Sequence, residues 1–161
     1  MKNVLIPTDF SIRSLRLIPA VCAHLDEEEL NITLVHPLAS DTTISALLRS
    51  EKRHREARLY NAGFREACEV IRNRFGNRIV RLSVEFYYGG TKAYLKHYLE
   101  ARQTDLVVLT KDFPYDRPTK ESRDIVTTFS AAGALVTYLP AAKRHSLLLT
   151  PESSLADLLY A

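Results

Sequence analysis

The chain has 161 residues, 46% of them hydrophobic and 25% charged, with a formal net charge of +3. That length suits one domain burying roughly 70% of its unfolded surface, and its apolar runs fall far short of the ~20 residues a membrane span needs. So small a net charge argues against a dedicated nucleic-acid binder, which concentrates far more charge on one surface.

Val4-Leu5-Ile6-Pro7-Thr8-Asp9-Phe10-Ser11 opens the chain as a buried strand delivering Asp9 to the start of a helix. In open parallel sheets ligands bind outside the carboxyl ends of the strands, where the strand order reverses, so Asp9 is the first candidate site residue. The strand begins almost at Met1, which leaves no room for a signal peptide and makes a cytoplasmic location the expectation. Ser11 is expected to cap a helix whose apolar face is Leu15, Ile18, Cys22 and Leu25, with Pro19 kinking or weakening it. Cys22 and Cys68 lack CxxC spacing and read as small buried hydrophobes.

Residues 30–35 read as a second strand, ended by His36-Pro37. The stretch 41–75 is helical in two parts. The first carries Ile44, Leu47 and Leu48 and then a run of charge; the second, roughly 57–75, carries the sheet-packing stripe through Phe64, Cys68 and Ile71. A single helix of that length would reach ~50 Å, so the first part is expected to be a separate helix or an overhanging arm. Its basic cluster Arg49, Lys52, Arg53, Arg55 and Arg58 is interleaved with Glu51 and Glu56 and has no aromatic platform, so it reads as a solvated face.

Alternation in 79–88 marks a third strand with one wet face, suited to a sheet edge. Gly89-Gly90 turns the chain, and Thr91 caps a helix with Tyr94, Leu95, Tyr98 and Leu99 inward and His97 on its surface. Leu106-Val107-Val108-Leu109 is apolar on both faces, hence central. An irregular segment 110–120 follows, then a helical pattern over 121–131 stopped by Gly133, and a short fifth strand at 135–139. Five repeats of strand and helix imply an α/β fold, a five-stranded parallel doubly wound sheet with helices on both faces. The domain is expected to span 1–140. The extension 141–161 carries Leu147-Leu148-Leu149 and a final amphipathic turn through Leu155, Leu158 and Leu159, expected to pack on the domain or on a dimer partner.

The opening Val4-Leu5-Ile6-Pro7-Thr8-Asp9-Phe10-Ser11, Ile32-Thr33-Leu34-Val35-His36 and Asp105-Leu106-Val107-Val108-Leu109 together resemble the universal stress protein family over roughly 2–140. The resemblance implies strand order 3-2-1-4-5, a homodimer, and in many members ATP bound by an aspartate after the first strand, backbone after the second and a G-x2-G-x9-G-[ST] loop after the fourth. Asp9 and the Val35-His36 region match the first two elements. The glycine loop does not match: its places fall on Thr110, Phe113 and about Glu121-Ser122, and no glycine lies between Gly90 and Gly133. Glycines in such a loop let backbone amides approach phosphate, which Phe113 and Glu121 do not.

Pro7, Thr8, Asp9, His36, Thr110, Lys111 and Ser122 are therefore expected to line a vestigial or divergent nucleotide pocket, with Lys120, Arg123 and Thr127 as further polar groups nearby. GxSxG, HExxH, a P-loop and paired carboxylates are all missing from the sequence. The expectation is a non-catalytic stress-response or regulatory module that uses no cofactor, no metal and no nucleic acid. The alternative is a divergent adenine-nucleotide binder using Asp9 and the loop 110–123.

Overall fold

The computed structural model describes residues 1–26, 29–39 and 49–142, with backbone alone for 49–51. Its strands are β1 (Lys2–Pro7), β2 (Leu30–Pro37), β3 (Ile79–Tyr87), β4 (Leu106–Leu109) and β5 (Val136–Tyr138). They form one sheet in the order β3-β2-β1-β4-β5, and every neighbouring pair is parallel. The α-helices are α1 (Leu17–His24), α2 (Arg49–Leu59), α3 (Ala62–Arg74), α4 (Lys92–Ala101) and α5 (Ile125–Phe129). This is the expected doubly wound α/β architecture, with β1 and β4 central and β3 at one edge. Among the described residues no helix is long and apolar enough to cross a membrane.

Two cores follow from the two-residue period of the strands. Val4 and Ile6 of β1, Ile32 and Leu34 of β2 and Val108 of β4 face α1 and α3, where Ile18, Val21, Phe64 and Ile71 complete one cluster. Leu5, Val35, Val107 and Leu109 point the other way, against Leu95 and Leu99 of α4 and Ile125 and Phe129 of α5. The central strands are thus buried on both faces.

Several helix starts depart from the sequence reading, each for a local reason. A 3-10 turn, Ile12–Arg16, intervenes before α1, and Ser11 makes no capping bond because its hydroxyl donates to Asp9 instead. Since α1 begins at Leu17, Pro19 falls in its first turn, where no intrahelical donor is required, so it neither kinks nor weakens the helix. The basic stretch is a separate helix as expected, and the break falls at Asn61. Its side chain accepts from the Phe64 amide at 3.0 Å and starts α3. The leading part, with Ile44, Leu47 and Leu48, lies outside the described residues, as does the extension beyond Ala142.

Thr91 caps α4 as expected, accepting from Tyr94 N at 3.1 Å. Tyr94, assigned to the inward face, is 53% exposed, although its ring packs edge-on against Tyr87. α5 starts only at Ile125, with Asp124 as its cap, because the preceding residues pair with the end of β2. Leu38 and Ser122 form an antiparallel bridge there.

Candidate functional site

The carboxyl ends of β1, β2 and β4 converge on a buried polar cluster, and the loop 110–123 is bound onto it. Asp9 lies two residues beyond Pro7, the last residue of β1, and is 2% exposed. Its Oδ1 accepts from the Ser11 amide at 3.0 Å and the Ser11 hydroxyl at 2.5 Å, and its Oδ2 accepts from the Asp116 amide at 2.7 Å. The first of these bonds turns the chain so tightly that Phe10 takes φ 61°, a conformation that costs a bulky residue about 1–2 kcal/mol. What holds Phe10 there is aromatic packing, with ring centroids 5.1 Å from His36, 5.1 Å from Phe64 and 5.6 Å from Phe86. Thr8 reinforces the turn, its Oγ1 accepting from Phe10 N at 3.1 Å and pairing with Ser14 Oγ at 2.8 Å.

His36, on the neighbouring strand, is wholly buried. Its Nδ1 lies 2.7 Å from the Thr8 carbonyl oxygen, which can only accept, so Nδ1 carries the proton. Nε2 of the neutral ring is then the acceptor, and Ser122 Oγ donates to it at 2.8 Å. Ser122 Oγ in turn lies 2.9 Å from Thr119 Oγ1 and 3.3 Å from Thr119 N. Burial lowers the His36 pKa below its ordinary value, opposed by the Thr8 carbonyl and the charge of Asp9.

The loop is fastened from several sides. Arg13 Nη2 donates to the Pro114 carbonyl at 2.7 Å and pairs with Asp116 at 3.3 Å, and its guanidinium stands 5.0 Å over the Phe113 ring. Ala39 N donates to Glu121 O at 2.7 Å and Arg123 N to Pro37 O at 3.0 Å. Thr110 N donates to the Tyr115 hydroxyl at 3.1 Å, and Thr110 Oγ1 accepts from Asp112 N at 3.2 Å. Burial pushes the Tyr115 phenol up to about 12, against the lowering effect of the Thr110 amide.

Of the residues the sequence singles out, Thr8, Asp9, His36 and Ser122 form one connected cluster, and Pro7 is the last residue of β1, paired in register with Val35. Thr110 is buried at the end of β4 and bonds within its own loop. Lys111 is exposed and its Nζ stands 4.7 Å over the Tyr138 ring on β5. Thr127 is exposed on α5, and Arg123 lies against Gly90 at the start of α4. Arg13, Tyr115 and Asp116 were not anticipated. Arg13 looks from sequence like any surface arginine, and Asp116 contributes a backbone amide, a group every residue has.

Beside the cluster a cleft of about 800 Å³ opens between α2 and the loop, bordered by Asp9, Arg55, Arg58, Pro118 and Lys120. On the basic face of α2, Lys52, Arg53 and Arg58 are exposed, as expected, and Arg55 is half-buried at the cleft. Lys52 has an aromatic neighbour too, with Nζ 4.3 Å over the Tyr88 ring.

No family model and no curated protein matches the sequence. Among solved structures, the chain is similar to hypothetical protein PH0823, with 15% identity, a TM-score of 0.51, and 88% of this chain and 97% of that one covered. It is also similar to the universal stress protein UspA from Lactobacillus plantarum, at 20% identity and a TM-score of 0.48 over 86% of this chain and 97% of that one. A third is hypothetical protein MJ0577, at 18% identity and a TM-score of 0.45, covering 88% and 96%. At 15% identity the likeness to PH0823 bears on the α/β fold alone, and the chemistry of the polar cluster is argued from its own residues.

Proposed function

We propose that this protein is a non-catalytic, universal-stress-protein-like module of stress response or regulation, in which the loop 110–123 fills the place of a nucleotide's phosphates. One observation carries the reading: both carboxylate oxygens of Asp9 are taken by the chain's own donors, from Ser11 and Asp116. A ligand seeking that carboxylate must displace an amide and leave it unpaired, at a cost of about 1–3 kcal/mol. The resemblance of the first, second and fourth strands to universal stress proteins, without the glycine loop, supports the same reading.

The Ser122–His36 pair has the form of a hydroxyl bonded to a neutral imidazole base, a pairing that can activate a nucleophile. Here the serine is 1% exposed, the imidazole is oriented by a carbonyl, and Thr119 also bonds to the serine oxygen. A latch between β2 and the loop accounts for every one of these bonds. A second reading, a divergent adenine-nucleotide protein, draws on the cleft beside Asp9. Against it, Lys111 is directed to Tyr138 on β5.

Calorimetric titration with ATP and Mg²⁺, set beside tripolyphosphate, separates the two. ATP is expected to bind no more tightly than tripolyphosphate and to release no phosphate. An advantage of tenfold or more for ATP, lost in Asp9→Asn, would overturn the proposal in favour of the second reading.

A further inference from the structure

The face of the sheet that carries α4 and α5 has a groove remote from the cluster at Asp9. It measures about 620 Å³ and runs along α4 beside the 3-10 segment Ser130–Leu135. The sequence explains why it is there. In Ser130-Ala131-Ala132-Gly133-Ala134 no side chain is longer than a hydroxymethyl, so the segment cannot fill the space beside the helix. Even a Cβ at Gly133 would meet nothing within 4 Å. Leu99 and Ala93 of α4 face Ala131, Ala132 and Leu135, which makes the wall mostly aliphatic, and nothing among the described residues fills it. At the rim stand Lys92 and Lys96, neither with an ion-pair partner among the described residues, and Glu100, 3.9 Å from His97 Nδ1.

The chain itself holds a segment of matching chemistry. After Ser153-Ser154, residue types that start helices, Leu155, Leu158 and Leu159 recur at the i, i+3, i+4 spacing by which an amphipathic helix fills an apolar groove. Residues 150–161 carry Glu152 and Asp157 and no lysine or arginine, opposite in sign to a rim of two lysines and one glutamate. Residues 143–154 lead to this segment and, extended, reach ~40 Å. Length is therefore no obstacle to docking.

Where the described chain ends decides whose groove is filled. Beyond β5, Ala141 N donates to Asp112 Oδ2 at 2.8 Å and Ala142 N to Arg16 O at 3.1 Å. These bonds lead the chain inward from the β5 edge, past the end of β4 and on to the start of α1, on the face opposite the groove. A tail leaving there is turned away from the groove of its own chain and outward to that of a second copy. In a two-fold pair each tail then fills the other's groove. We propose that the groove between α4 and the segment 130–135 seats residues 153–159 of a second copy of this chain, with Leu155, Leu158 and Leu159 against Leu99 and Leu135. The inference stands apart from the proposed function, since it uses no residue of the cluster at Asp9.

Two full-length variants test this by sedimentation over a range of concentrations: Ala93→Glu, which places a carboxylate in the groove, and Leu155→Ser/Leu158→Ser/Leu159→Ser in the tail. Each is expected to weaken the dimer at least tenfold, whereas His97→Ala, at an exposed position of α4 outside the groove, leaves it unchanged. Mixed in equal amounts, the two variants should pair severalfold more tightly than either does alone, because the intact tail of the first meets the intact groove of the second. Ala93 is exposed, and circular dichroism checks that the variants fold. Should Ala93→Glu lose its spectrum, Lys92→Glu/Lys96→Glu, at two exposed positions of the rim, takes its place and should weaken the dimer severalfold. A dimer that survives the groove or the tail variant would overturn the inference, as would an equal loss in His97→Ala or a full chain that is a monomer. Variants that stay monomers on mixing would also overturn it and place each tail in the groove of its own chain.

Discussion

Asp9 is buried with both carboxyl oxygens answered by three hydrogen bonds from its own chain. Replacing it by alanine would leave the Ser11 and Asp116 amides without an acceptor and release the turn that imposes φ 61° on Phe10. We expect Asp9→Ala to lose about 2–4 kcal/mol in urea denaturation. A loss under about 1 kcal/mol would mean that the loop is not held by this carboxylate. His36 sets a pH dependence of definite sign. Burial outweighs the Thr8 carbonyl and the Asp9 charge, so the folded-state pKa lies below the ordinary 6.5. Between that folded value and 6.5 the unfolded chain binds more protons, so stability is full above 6.5 and falls as the pH drops below it. The slope from this residue is at most about 1.4 kcal/mol per pH unit. Denaturation at pH 8, 6.5 and 5.5 should show the decline, and His36→Gln should flatten that part of it.

At the level of elements, the sequence discloses what is locally encoded and hides what distant backbone decides. Strand positions follow from apolar runs ended by Pro7 and Pro37, and the edge place of β3 from its alternation, because burial writes itself into period and composition. Helix starts at Asn61, Thr91 and Asp124 are set by capping side chains, yet the apolar pattern over 121–131 placed the last one too early. What holds 121–123 out of α5 is bonding to Ala39 and Pro37, more than 80 residues away, for which no local signal exists. The site divides the same way. Asp9 and His36 were legible as residue types at strand ends and Ser122 as a hydroxyl in the loop after β4, whereas the Asp116 amide that closes Asp9 was not. Gly89-Gly90 is legible as a turn, but the demand differs between its two residues. A Cβ at Gly89 would overlap Tyr94 Cδ1 and the Tyr87 hydroxyl, and Tyr87 is wedged against Tyr98 and Phe129 at 5.0 and 5.6 Å. Gly89→Ala should therefore cost about 1–3 kcal/mol. At Gly90 the nearest atom to such a Cβ is Arg123 Nη2, an ordinary 3.4 Å away, so Gly90→Ala should be neutral or gain up to about 1 kcal/mol. Thermal melts of the pair check this, and equal losses would show that the turn itself, and not tyrosine packing, requires both glycines.

For the whole molecule, the open question is what covers its apolar sequence beyond the sheet. β5 is a three-residue edge strand with Tyr138 41% exposed, and an unpaired edge invites association. The chain after Ala142 adds Leu147-Leu148-Leu149 and then Leu155, Leu158 and Leu159 at helical spacing. We propose that these leucines are buried between two copies of the chain in a homodimer. The truncation that tests this should end after Ala142. Ala141 N donates to Asp112 Oδ2 at 2.8 Å and Ala142 N to Arg16 O at 3.1 Å, and both ties remain when 143–161 is removed. The shortened chain should then keep its circular dichroism spectrum and run as a monomer in light scattering, where the full chain runs as a dimer. A truncated chain that is still a dimer would remove the leucines from the interface and leave the β5 edge as the surface to disrupt. A full chain that is a monomer would end the dimer proposal outright. A truncated monomer whose loss of stability relative to the full chain is the same at every chain concentration would place the leucines on the domain itself, since the share contributed by a dimer grows with the logarithm of concentration over its dissociation constant.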